Sequence, residues 1–368
     1  MQKLNSKEEA VTDIYKRLRE RLDMFPQGFP KTKSGVELKI LKELFSPEEA
    51  EIMLFLRPTP EPVSVVSERM GRDESEMADL LYQMSKKGLI LRGTIQGQTF
   101  YLMAPWIVGI WEFQLNNLNQ DNIPLYEKYF EEGMVPERGR SQTGGFRVIP
   151  IEREIKNNTE VQPFEKVSEI IESSHRFAVA DCICRKEAAM MGHGCDKLLE
   201  GCMMFDLAAD YYIENGLGRE ISKKEAHEIL SKAEESGLVH HSSNHKSSKM
   251  FICNCCGCCC KALAHVNKYN NPRAITHSNY YAVVDAETCT ACETCVERCQ
   301  VNAVQIEADV SVISKDRCIG CGLCASTCPT GSITMVQKQT EEMSVIFENQ
   351  DQLLQAMAKE KNKEYPFE

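Results

Sequence analysis

No cysteine stands among the first 181 residues of this 368-residue chain, and the whole of it holds only two tryptophans. A disulfide framework is thereby excluded for the front half. No uninterrupted apolar run approaches the ~20 residues that a membrane helix needs. The start, Met1 to Glu9, lacks the apolar block of a secretory signal, so the expected compartment is the cytoplasm. Positive charge is also short, with 43 basic residues against 54 acidic ones and a net charge of −11. That balance argues against a general polyanion binder. Phosphate-gripping glycine patterns are missing too. There is no G-x-x-x-x-G-K-[ST] loop, and Gly216-Leu-Gly218 has Ile221 where a dinucleotide fingerprint needs its third glycine. No nucleophile elbow or metalloprotease helix is visible.

What is present divides the chain in two. Hydrophobic residues make up 42% of it, enough for packed cores, and the length suits two or three domains at roughly 100–200 residues each. All 18 cysteines lie at or after Cys182. In a chain of this size without a signal, such density points to metal or redox chemistry.

In the front half, Ser6 with Glu9 and the spacing of Ile14, Leu18 and Leu22 predict a helix over 6–22. Ser46-Pro47-Glu48-Glu49 predicts a capped helix ending near Leu56. Val63 to Met70 reads as a short helix stopped by Gly71. Asp73 and Glu76 open another that carries Met77, Leu80, Leu81 and Met84 on one face. Leu89 to Leu102 reads as two strands around Gln96-Gly97. This order resembles a winged helix-turn-helix module. Its charge opposes DNA binding: between Lys42 and Arg92 seven basic residues face ten acidic ones, and the third helix opens with Asp73, Glu74, Glu76 and Asp79. A docking role on protein is the expectation.

Farther on, helices are expected over Trp106–Leu118, Pro124–Met134, Phe164–Ile171, Asp206–Ile213 and Lys223–Glu235, and a last one around Leu353, Leu354 and Met357. Phe146–Ile151 and Arg176–Cys182 read as strands, and Gly139–Gly145 as a linker.

The strongest signal is a repeated spacing. Cys289, Cys292, Cys295 and Cys299 follow C-x2-C-x2-C-x3-C, and Cys318, Cys321, Cys324 and Cys328 repeat it ahead of Pro329. A shift of 29 residues superposes all eight and aligns Val304 with Ile333, as an internal duplication would. Zinc takes four ligands in tetrahedral sets and gives no reason for the doubled pattern. The unit resembles the bacterial ferredoxin with two 4Fe-4S clusters. The resemblance implies one cluster on Cys289, Cys292, Cys295 and Cys328 and another on Cys318, Cys321, Cys324 and Cys299, because the last cysteine of each run crosses over. Gln300 departs from the proline usual after the first run.

Ten cysteines remain: Cys182, Cys184, Cys195 and Cys202, then Cys253, Cys255, Cys256, Cys258, Cys259 and Cys260. If the strand runs on through Cys184, alternation sets Cys182 and Cys184 on one face, and Cys253 with Cys255 likewise. Buried thiols and a zinc clip are the plain readings. One or two further iron–sulfur clusters, with Arg185 and Lys186 offsetting their charge, form the sharper one. Spacing leaves shared and separate sites both open. His240, His241 and His245 precede the second run and are read as a solvated polar loop in preference to ligands.

Most of the chain also resembles a family of multi-cluster iron–sulfur proteins from anaerobic bacteria and archaea. Its recurrent features stand here as Gly28-Phe29-Pro30, Asp181-Cys-Ile-Cys-Arg185, Tyr212-Ile-Glu-Asn-Gly216, Phe251 to Cys260 and the ferredoxin unit. The expected fold is α+β and multidomain: a helical extension (1–45), a winged-helix-like module (46–104), a helical connector (105–145), a cysteine-rich mixed α/β middle domain (146–280), a two-cluster ferredoxin domain (281–337) and a tail with a helix (338–368). The expected role is single-electron transfer to a redox partner protein or oxidoreductase subunit. An oxidoreductase with a substrate-binding cluster in the middle domain and an iron–sulfur-responsive DNA-binding regulator are the alternatives.

Overall fold

The computed structural model describes residues 2–155, 165–247 and 249–368. The chain is mixed α/β and divides into two compact units. One comprises residues 1–141, 213–217 and 354–368, and the other residues 142–212 and 218–353.

The first unit opens with α1 (Gln2–Asp23), which begins before the expected start at residue 6. Leu18 and Leu22 are fully buried on its inner face. The helix ends at Asp23, and the chain turns at Gly28, whose φ of 83° suits glycine and where a Cβ would meet the Glu137 carboxyl at 2.6 Å. Then follow α2 (Val36–Leu44) and α3 (Pro47–Phe55), the latter with the expected capping box between Ser46 and Glu49. A short strand β1 (Glu61–Pro62) leads into α4 (Val63–Met70), which Gly71 ends, and α5 (Glu74–Lys86), which Asp73 caps. β2 (Ile90–Ile95) and β3 (Gln98–Met103) pair as a hairpin, with β1 on the far side of β3. Gln96 and Gly97 both have positive φ, as a tight two-residue hairpin turn needs. At the hairpin base Arg92 donates to Glu214 at 2.7 Å, and Asn215 Nδ2 donates to the Ser85 carbonyl at 3.2 Å.

The helix expected over Trp106–Leu118 does not form. Ile107 and Val108 are extended, and only a short helical turn follows at Glu112–Gln114. The run is apolar without helical periodicity, and packing decides its shape: Trp106 is buried with its ring 5.2 Å from Phe29 and 5.8 Å from Tyr129. α6 (Ile123–Tyr129) and α7 (Val135–Arg138) flank a widened turn at Phe130–Met134, in the expected helical region. The C-terminal helix Gln350–Glu360 buries Leu353, Leu354 and Met357 as expected.

The second unit is built on a six-stranded antiparallel sheet. Its elements are β4 (Phe146–Ile149), α8 (Val167–Ser173), β5 (Phe177–Asp181), α9 (Ile183–Met190), β6 (Glu200–Phe205), α10 (Leu207–Glu214), β7 (Arg219–Glu220), α11 (Lys223–Glu235), β8 (Val239–Ser243) and β9 (Phe251–Cys255). Spatial order is β4-β8-β9-β6-β5-β7. Phe164, expected to start α8, lies outside the described residues. Side-chain alternation gives the sheet two faces. Ile149, Val179, Met203 and Ile252 point into one core with Ile170 and Ile171 of α8 and Ile229 of α11. Cys253 and Cys255, one place out of phase with Ile252, pack instead with the second core, which contains Val148, Leu263, Tyr280 and Leu323.

After α12 (Lys261–Asn267) the duplicated segment takes up β10 (Tyr280–Val284), α13 (Thr294–Arg298), β11 (Val304–Glu307), β12 (Val310–Ile313), α14 (Leu323–Ser326) and β13 (Ile333–Gln337). β10 pairs with β13 and β11 with β12, so each repeat is completed by a strand of the other. The repeats match in backbone detail: Ala291 and Glu293 have φ of 51° and 63°, and Gly320 and Gly322, 29 residues on, have 69° and 83°.

Candidate metal centres

Local structure explains how each triplet of cysteines is presented. In both repeats the first two cysteines sit on a loop with left-handed turns, the third lies in a one-turn helix, and the fourth follows that helix. Strand exchange then brings the end of the second repeat to the start of the first. Cys289, Cys292, Cys295 and Cys328 line one small cavity. The crossed set implied by the ferredoxin resemblance is thus together in space.

Polar donors surround this first cavity. Ser311 Oγ lies 3.2 Å from Cys295 Sγ, the Ser311 amide donates to Cys289 Sγ at 3.5 Å, and Ser332 Oγ stands 3.2 Å from Cys328 Sγ. Hydrogen bonds from Ser311 lower the Cys289 thiol, and those from Thr294 lower Cys292. Burial works against ionisation at Cys328, yet hydrogen bonds from Ser332 and Thr330 prevail and bring it to about 7. Thiolates ready to ligate are favoured here.

The second set is more apolar. Burial pushes Cys321 up to about 12, and the neighbouring thiols of Cys299 and Cys318 add to the effect. Burial raises Cys324 as well, with Cys321, Cys318 and Cys299 as its charged neighbours. Cys299 Sγ accepts from the Ala303 amide at 3.1 Å. Ile319 and Leu323, both buried, share the core with this group. Thiolates so close together repel one another unless cations hold them, which suits a multi-iron cluster.

The middle-domain cysteines separate into two groups. The strand expected over Arg176–Cys182 is β5, which ends at Asp181 after a bulge and does not run on through Cys184: Cys182 stands at the N-cap position of α9 and Cys184 lies in its first turn. β9 does place Cys253 and Cys255 on one face, with Cys253 opposite Cys202 on one side and His241 on the other. Cys260 caps α12. Thiol contacts link Cys182, Cys184, Cys260, Cys255, Cys253 and Cys202 into one group. Contact with Cys184 raises the Cys182 thiol, contact with Cys202 raises Cys253, and contact with Cys253 raises Cys255, each reinforced by burial.

The histidines are not the solvated loop that was expected. His240 and His241 lie in β8 at 1% exposure, and His245 is buried just beyond it. β8 is held between β4 and β9, in the interior of the sheet. His240 Nδ1 meets Asn254 Oδ1 at 2.6 Å. His241 Nε2 has no hydrogen-bond partner, and burial pushes this imidazole down to about 3, so the ring is neutral. It stands with Cys255 and Cys260 as a set whose ligand atoms all lie within 4.8 Å of one another. A buried imidazole left without a partner fits a metal-facing nitrogen.

The other group is Cys195, Cys256, Cys258 and Cys259, again within 4.8 Å. Arg185, 2% exposed, lies between the two groups. Its Nη1 donates to the Asn254 carbonyl at 3.0 Å and approaches Cys256 Sγ at 3.8 Å, while Nε and Nη2 have no partner. Burial opposes its charge, but Cys182, Cys256 and Cys255 together hold it cationic. The sequence pointed to Arg185 for this role; Ser311, Ser332 and Asn254 carried no sequence signal.

Among the described residues no helix is long and apolar enough to cross a membrane. No curated protein and no solved structure matches the chain. A family model described as a 4Fe-4S dicluster domain matches residues 282–335, the segment that contains both cysteine runs, and supports an iron–sulfur electron-transfer role for it.

Proposed function

We propose that this chain is a cytoplasmic single-electron carrier that works between a soluble donor and a partner oxidoreductase. Its two 4Fe-4S clusters are held by the crossed sets Cys289, Cys292, Cys295, Cys328 and Cys318, Cys321, Cys324, Cys299. The observation that carries the reading is the cavity lined by cysteines from both runs. Such clusters supply one-electron exchange. The chain supplies the thiolates, the Ser311 and Ser332 hydroxyls at the first set, and the apolar wall of Ile319 and Leu323 at the second. Different surroundings give the two sets different potentials.

A third cluster is held within the group of Cys182, Cys184, Cys202, Cys253, Cys255 and Cys260, with His241 as an additional ligand. The winged-helix-like module in the first unit docks on the partner protein. Its third helix opens with acidic Glu74 and Glu76 behind the Asp73 cap, which repels a phosphate backbone. Anaerobically purified protein should bleach with dithionite, regain colour with an acceptor enzyme and leave duplex DNA unshifted at low salt. Failure to bleach and recover would overturn the carrier reading.

A further inference from the structure

We propose that Cys195, Cys256, Cys258 and Cys259 form a mononuclear site that holds one tetrahedral ion, zinc or ferrous iron, with no inorganic sulfide. This goes beyond the electron-carrier reading and stands even if the group of six cysteines holds no metal. The separations between sulfurs carry it. Cys195 Sγ lies 3.8 Å from Cys256 Sγ and 3.8 Å from Cys259 Sγ, and Cys259 Sγ lies 3.7 Å from Cys258 Sγ. A tetrahedral ion bound at about 2.3 Å by four thiolates sets those sulfurs about 3.8 Å apart. Around a cubane each thiolate sits on a separate iron, so the four sulfurs must spread over the corners of the cube. This group is too tight for that.

Two further observations fit one ion. Four thiolates on a dication leave two negative charges, and the buried Arg185 guanidinium faces Cys256 with Nε and Nη2 unpartnered. The surroundings are otherwise apolar: Ala188, Ala233, Leu238 and Leu198 pack against Cys256 and Cys259. Such a site is a clip. It ties the loop after α9 to the loop after β9, whose flanking residues Cys255 and Cys260 belong to the neighbouring cysteine group.

The test uses the full chain purified without oxygen. Zinc X-ray absorption should show four sulfur neighbours and no iron scatterer; if the ion is iron, Mössbauer spectra should contain one high-spin ferrous tetrathiolate doublet per chain. Cobalt supplied during expression should give the visible bands of a tetrahedral tetrathiolate. Cys258→Ser, at the exposed member, should lose that ion while acid-labile sulfide and the reduced-cluster resonances stay unchanged. Sulfide lost together with iron in Cys258→Ser, or wild-type spectra with neither a zinc tetrathiolate nor a ferrous one, would overturn the proposal. The wild-type spectra decide the matter if the variant fails to fold. Absence of reversible bleaching would instead strike the carrier reading and leave this one intact.

Discussion

Gln300 Oε1 accepts a hydrogen bond from the Gly257 amide at 2.8 Å. Asn267 Nδ2 reinforces the contact by donating to both the Gly257 and the Gln300 carbonyls, at 3.0 and 2.9 Å. The position where two-cluster ferredoxins usually carry proline thus clamps the ferredoxin repeat to the middle of the cysteine run. A Cβ on residue 257 would fall 2.2 Å from the Gln300 carbonyl oxygen. Gly257→Ala should therefore cost about 1–3 kcal/mol, by overpacking against backbone. Gln300→Pro should cost about 1 kcal/mol, by leaving the Gly257 amide unpaired. Thermal unfolding of the anaerobic holoprotein measures both, and a Gly257→Ala midpoint equal to wild type would show that the clamp is slack.

Cys321→Ser and Cys299→Ser should damage the same cluster, although the two residues belong to different sequence runs. Cys328→Ser should damage the other. Iron content and electron paramagnetic resonance of the reduced variants separate the sets. If Cys299→Ser instead removes the signal that depends on Cys289, the ligands do not cross.

Ser311→Ala and Ser332→Ala should each lower the potential of the cluster at Cys289, Cys292, Cys295 and Cys328. A hydroxyl donated to a thiolate stabilises the more negative, reduced state. One hydrogen bond contributes about 1 kcal/mol, which is about 40 mV for one electron. Redox titration followed by paramagnetic resonance reads the shift, and an upward shift would contradict the hydroxyl assignment.

In the first unit, burial pushes the Glu112 carboxyl from 4.5 up to about 8, against the hydrogen bond it receives from the Gly109 amide at 2.8 Å. The folded state holds this proton more tightly than the unfolded chain. Its contribution is complete below about 4.5 and is lost as pH rises towards about 8. Glu112→Gln should flatten that fall. Melting temperature followed across the same window in wild type and variant checks it; parallel curves would mean that Glu112 titrates normally.

What the sequence determined by itself is whatever short covalent reach decides. Three cysteines spaced C-x2-C-x2-C meet one face of a cluster because the loop between them is too short to do otherwise. Capping at Ser46 and Asp73, the Gln96-Gly97 turn and the 3.6-residue pattern of Lys223–Glu235 are local in the same way. Tertiary structure decided what depends on distant partners. Exchange of strands between the repeats brought Cys328 to Cys289. Register in the six-stranded sheet set His241 beside Cys253 and buried a histidine pair that composition alone reads as loop. Ending β5 at Asp181 turned Cys182 and Cys184 into the opening of a helix. The aromatic packing around Trp106 kept an apolar segment from becoming one. The division of ten cysteines into a group of six and a group of four rests on which loops the sheet brings together. No spacing along the chain encodes that, because residues as far apart as Cys195 and Cys256 meet only once the strands between them have paired.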